Sequence, residues 1–138
     1  ASTSGINRDT IRIISEPRAA AIHSASGPQI AICDFGGGTL DVAVVRAVFG
    51  IAETGSVLFT EGQLIVNAVA YLAQHLVVLL DPADILPNVQ AAYLRPEFGQ
   101  SAYAVLHTGP SATADIEGVL IHGAQGVRSL TVLLVPRP

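Results

Sequence analysis

The chain has 138 residues, a length that suits one domain, and half of them are hydrophobic against 13% charged, so it can bury a sizeable core. A net charge of −4 with only seven cations, all arginine, speaks against a nucleic-acid surface. No apolar run approaches the roughly 20 residues that span a bilayer, and the polar start lacks the apolar segment of a signal peptide.

In chain order, residues 11–14 form a short β-branched run, followed by Pro17, which can open a helix, and an alanine-rich stretch over 18–23. Ser26-Gly27-Pro28 breaks that helix. Residues 30–34 read as a buried strand that carries Cys33, the single cysteine; alone it can form no internal disulfide and hold no cluster, which fits a cytoplasmic setting. The turn Gly36-Gly37-Gly38 and a second strand over 41–46 suggest a hairpin. A strand over 51–59 is interrupted at Thr54-Gly55, and Leu64, Ala68 and Leu72 predict a helix over 62–72. Residues 75–80 are the continuous apolar kind of strand buried on both faces. Asp81-Pro82 opens a helix whose stripe is Ile85, Leu86, Val89, Ala92 and Tyr93, with Pro87 in a first turn or a kink. After a loop marked by Pro96 and Gly99 come a strand over 103–107 and a helix from Thr113 to His122. Ile116, Val119 and Leu120 face its core side, and Gly123 stops it. Residues 130–135 are the last strand. The expectation is a single α/β domain over 1–138, with a mainly parallel sheet and covering helices.

The clearest candidate site is Gly109-Pro110-Ser111-Ala112-Thr113. It brings two hydroxyls to a helix start, where free N–H groups and a positive dipole favour an anion. Gly126-Val127-Arg128 is a second glycine turn and ends in a fixed cation. Ligands of such sheets lie beyond the carboxyl ends of strands. The loop after His107 meets that rule, whereas Arg128 precedes a strand and is expected on the other side. The competing reading is a capped helix and an ordinary loop. Glu53, in Ala52-Glu53-Thr54-Gly55, is either a general base or ligand contact, or a carboxylate tying down the turn, since an acid in an apolar strand needs a partner. His75, His107 and His122 lack metal spacing, and no metal site is read. His107, at a strand end, is the best placed of the three, with a structural histidine as the alternative. Asp115 and Glu117 lie two apart and do not form a carboxylate pair. No nucleophile elbow or complete dinucleotide fingerprint is present.

Three blocks carry a resemblance: Gly109 to Arg128, Phe49-Gly50-Ile51-Ala52-Glu53-Thr54-Gly55-Ser56, and Ala73-Gln74-His75-Leu76-Val77-Val78. In this order and spacing they resemble the LUD domain of the lactate-utilisation protein C family, over about residues 41–135. The resemblance implies a fold similar to the NagB/RpiA/CoA-transferase group. It also implies a role in oxidising L-lactate to pyruvate beside iron–sulfur partner proteins, which would carry the electrons, this chain needing no cofactor of its own. Glu53, Thr54, Gly55, His107, Gly109, Ser111, Thr113, Gly126 and Arg128 are then the ligand-contact candidates for a small anion or a redox partner.

Residues 11–46 resemble something else. Ile11 to Ile22 is similar to a segment of the nucleotide-binding domain of DnaK-type chaperones, and Asp34-Phe35-Gly36-Gly37-Gly38-Thr39 resembles that family's second phosphate loop. There the glycines would let backbone N–H groups approach a phosphate, Thr39 would add a hydroxyl, and Asp34 would sit near the metal and water. The first phosphate loop, the adenosine site and the catalytic lysine are missing, and Arg18 stands where the family has Thr. Two further readings follow: a hybrid or engineered α/β protein without native activity, and a remnant nucleotide-binding segment.

Overall fold

The computed structural model describes residues 11–15, 30–34, 42–64, 67–115, 117–122 and 126–137, with backbone alone before residue 42. Asp34 is therefore placed by its backbone only, and Gly36, Gly37, Gly38 and Thr39 lie outside the described residues. So do the alanine-rich stretch, Ile116 and the Gly123 helix stop.

Two sheets carry the fold. The first has five strands, β1 (Ile11–Ser15), β2 (Ile30–Asp34), β3 (Val42–Arg46), β6 (His75–Leu80) and β11 (Ser129–Leu134), in the order β1-β2-β3-β6-β11. Its pairs β1–β2, β3–β6 and β6–β11 are parallel, and only β2–β3 is antiparallel. The sheet is thus mainly parallel, as alternating strands and helices predict, and β2–β3 is the pair read as a hairpin. The second sheet contains β4 (Gly50–Ile51), β5 (Ser56–Thr60), β7 (Ile85–Leu86) and β8 (Ala104–His107), in the order β7-β4-β5-β8. β4–β5 is a hairpin around the interruption at Thr54-Gly55, and β5–β8 is antiparallel. The strand ending at His107 therefore does not join the parallel sheet, a correction to a single layer. The left-handed turn at Gly55 (φ 67°) brings the five-residue β5 back onto the short β4, so these strands pair locally.

β6 is not uniformly buried. Leu76, Val78 and Leu80 are buried, and the residues between them are more open. The register puts Ala43, Val45, Leu130 and Val132 on the same face. That face builds the larger core with Val57, Phe59, Leu64, Val69, Ala70 and Val127. The opposite face of the second sheet packs Phe49, Ile51 and Leu58 against Ala92, Val89 and Phe98.

The helices are shorter than periodicity suggests. The helix expected over 62–72 is two pieces, α1 (Glu61–Leu64) and α2 (Val69–Leu72). The helix expected after Asp81 is interrupted as well. Asp81 does cap a turn, its side chain accepting from the Ala83 N–H at 2.9 Å. That turn is a single 3-10 turn, β7 then pairs with β4, and α3 (Val89–Tyr93) starts only after Pro87. Proline cannot donate to a helix ladder and disfavours helical geometry in the residue before it. A short helix α4 (Glu97–Gln100) follows.

The largest departure lies over residues 109–122. No helix forms among the described residues there. β9 (Ala112–Thr113) pairs antiparallel with β10 (Ile121–His122), in a hairpin whose turn holds Glu117 at φ 53° and Gly118 at φ 69°. Two consecutive residues in left-handed backbone cannot lie inside a right-handed helix. Val119 and Leu120, expected to face a core, are 59% and 61% exposed.

Candidate functional site

β6 and β11 run parallel, and both end at one side of the first sheet with Leu80 and Leu134 as register partners. The β4–β5 hairpin arrives at the same place. The Ala47 N–H bonds the Leu79 carbonyl at 2.9 Å, which seats the hairpin against the end of β6. Gly50 makes the close approach possible, because a Cβ there would stand 2.6 Å from Leu80 Cδ2. Between hairpin and strand ends lies a cleft of about 210 Å³, lined by Gly50, Ile51, Ala52, Gly55, Ser56, Val57, Leu80, Ile85, Val132 and Leu134. It lies on one face of the sheet toward the carboxyl ends of two adjacent parallel strands, the side on which open α/β sheets bind ligands.

Ser56 is buried, and its Oγ lies 2.7 Å from Thr54 Oγ1 and 2.6 Å from Thr108 Oγ1. The Thr54 hydroxyl also accepts from the Ser56 N–H at 3.3 Å. Three hydroxyls thus tie the 52–55 turn to the residue after His107. A run of linked hydroxyls can re-aim its protons to suit either a donor or an acceptor.

Glu53 is not the buried acid that the apolar strand implied; it is exposed in the turn. Its Oε2 accepts from the Val89 N–H at 3.2 Å, and Asn88 Oδ1 accepts from the Ala91 N–H at 2.9 Å. Together they satisfy two of the orphan donors that open α3. The carboxylate links the 52–55 turn to the start of α3.

His107 is Val57's direct partner across β5–β8 and is only 9% exposed. Its ring lies 6.3 Å from that of Phe59 and meets Tyr71 edge-on at 5.6 Å. Its Nδ1 is buried with no hydrogen-bond partner. Burial in this aromatic setting pushes the imidazole pKa down and favours the neutral ring. The Tyr71 hydroxyl pairs with that of Tyr103 at 2.9 Å, and burial followed by this bond pushes its pKa up to about 12.

The remaining candidates are elsewhere. Gly109 (φ 58°) leaves β8 directly, but Ser111 and Thr113 lie on or beside the β9–β10 hairpin. The helix start that was to bind an anion there is absent, because the chain turns back at Glu117-Gly118. The Thr113 hydroxyl accepts from the Asp115 N–H at 3.3 Å, a local turn contact. Gly126 (φ 117°) leads into Arg128, whose N–H bonds the Gln74 carbonyl at 2.7 Å. Arg128 therefore stands at the start of β6 and β11, roughly 20 Å along the strand from Leu134, on the side where a residue preceding a strand belongs. His75 Nδ1 meets Ser129 Oγ at 2.8 Å at that same end. Among the described residues no three His, Cys, Asp or Glu side chains gather to hold a metal ion, and no helix is long and apolar enough to cross a membrane.

Leu80, Ile85, Val132, Leu134 and Thr108 were not among the sequence candidates. Their residue types are those of any core or strand end, and only the meeting of two sheets makes them a lining. Gly50 and Ser56 lay within a block that the resemblance already rested on.

The fold and the cleft define an α/β protein with a mainly parallel sheet and a ligand-sized recess at its strand ends. Residues 37–135 match the LUD domain, and the chain belongs to that family. Among solved structures it is similar to a DUF162 family protein from Deinococcus radiodurans, at 14% identity with a TM-score of 0.50. That match covers 70% of this chain and 54% of the other, so this chain spans about half of that protein's length. No curated protein matches the chain at a significant level. The LUD match begins within Gly36-Gly37-Gly38 and includes β3. The comparisons give no support to a chaperone-derived segment or to a chimera.

Proposed function

We propose that the chain serves an L-lactate oxidation system as its LUD-type component, holding a small organic acid in the cleft while iron–sulfur partner proteins carry the electrons. The observation that carries this reading is the match to the LUD domain over residues 37–135, whose family is tied to lactate utilisation. The position of the cleft supports it. The acid would enter at the ends of β6 and β11, with its polar end toward Ser56 and the 52–55 turn, in place of the helix start once expected near Thr113.

The test is genetic. The chain is expressed in a bacterium deleted for its own LUD-type lactate-utilisation protein, with L-lactate as sole carbon source. Growth is expected to return, and to fail again with Ser56→Ala combined with Leu134→Asp. No growth from a soluble, folded chain would overturn the proposal.

A further inference from the structure

Most of the cleft is unlike a site for a methyl-sized acid. Of its lining residues, Ser56 alone carries a polar side chain, and it stands at the end where the turn crosses over. The rest of the wall is Ile51, Val57, Leu80, Ile85, Val132 and Leu134. Among the described residues no cationic side chain lines it, so a carboxylate would rest on a hydroxyl and peptide dipoles there, a weak hold. The volume of about 210 Å³ exceeds the roughly 150 Å³ apolar cavity that accommodates a benzene ring. A ligand ending in one methyl would leave much of that wall without contacts and forfeit its dispersion energy.

We infer that the cleft is a site for 2-hydroxy or 2-oxo acids bearing a branched aliphatic or phenyl side chain, the side chain seated among Leu80, Ile85, Val132 and Leu134 and the acid end at Ser56. This rests on the reading of the chain as a small-acid binder and names the class of acid; lactate is its smallest and weakest member.

The experiment is an NMR titration of the full chain with L-lactate, L-2-hydroxyisocaproate, L-3-phenyllactate and, as an uncharged control, isoamyl alcohol. The two larger acids are expected to bind at least tenfold more tightly than lactate. Tenfold corresponds to about 1.4 kcal/mol, within what burying three further carbons offers. Shifts are expected at the Leu80, Val132 and Leu134 methyls and the Ser56 amide. Val132→Phe, which fills the cleft, should weaken the larger acids about tenfold more than it weakens lactate. Leu134→Phe, at a more exposed position, serves the same purpose if Val132→Phe fails to fold. Lactate binding as tightly as the larger acids would overturn the inference and leave the lactate-oxidation role standing. Isoamyl alcohol binding as tightly as the acids would overturn it too, by showing an apolar recess with no preference for an acid. If no acid binds, the inference falls, and growth on L-lactate then decides the wider role separately.

Discussion

Thr54-Gly55-Ser56 and Gly109-Pro110-Ser111 are close to the same local motif, a left-handed glycine flanked by hydroxyls, yet their surroundings differ in almost every physical respect. The first joins β4 to β5, beside the buried Phe49 and ahead of the buried Leu58 and Phe59 of β5. Its hydroxyls are linked into one run at 2.6–2.7 Å, and a cleft opens beside it. The second leads into a two-stranded hairpin with Ser111 exposed and Val119 and Leu120 facing solvent. A turn motif becomes a site only where packed strands hold it. An isolated two-stranded hairpin is marginal on its own.

Substitutions can break or sharpen that contrast. The largest effect is expected from Phe59→Ala, beneath the first turn, which should cost about 3–5 kcal/mol because a fully buried ring leaves a cavity. Urea denaturation would measure it. An equal loss from Leu120→Ala would erase the distinction between the two regions.

Gly50→Ala comes next. Its new methyl would meet Leu80 Cδ2 at 2.6 Å, and overpacking of this kind costs about 1–3 kcal/mol. The value should lie at the lower end, because Leu80 can swing into the open cleft. The same movement should narrow the cleft, and the ligand titration would read that loss directly.

Ser56→Ala removes the middle hydroxyl of three and strands two partners, for about 1–2 kcal/mol. Ser111→Ala, at an exposed position, should stay within about 0.5 kcal/mol. Similar values for the two serines, in parallel thermal melts, would show that the hydroxyl run contributes nothing particular.

The smallest expected effect is a pH dependence from His107. Burial holds its folded pKa below the ordinary value, so unfolding takes up a proton once the pH falls under about 6.5. Stability should therefore fall as the pH drops from about 6.5 toward the lowered folded value, and level off below it. His107→Phe should flatten that limb in denaturation curves recorded from pH 7.5 to 5. An unchanged slope would assign the acid sensitivity to other groups.

Several elements were legible because they rest on short-range rules. The apolar run at residues 75–80, the antiparallel partner of 30–34 and the break at Thr54-Gly55 all appear where composition and turn residues put them. Pro87 was rightly suspect, since a residue with no N–H disrupts any helix interior. The stretch after Thr113 was misread. Its spacing of Ile116, Val119 and Leu120 fits a helix in isolation, and the left-handed pair Glu117-Gly118 that overrides it gives only a faint signal in a single sequence. The site was half legible. Glu53, Thr54, Gly55 and His107 were singled out; of these Gly55 lines the cleft, while Glu53 bonds the start of α3.

The sequence by itself determined that strands would be buried, that glycines would turn the chain near residues 55 and 109, and that an α/β core would result. Those outcomes follow from side-chain periodicity and backbone sterics acting within a few residues. Only the tertiary structure decided that β8 leaves the parallel sheet, that Glu53 caps a helix, and that Leu80, Val132 and Leu134 face a cleft beside Ser56. These depend on which strand edges pair across long separations, and that choice is made by the burial of whole faces, to which each residue's local pattern is blind.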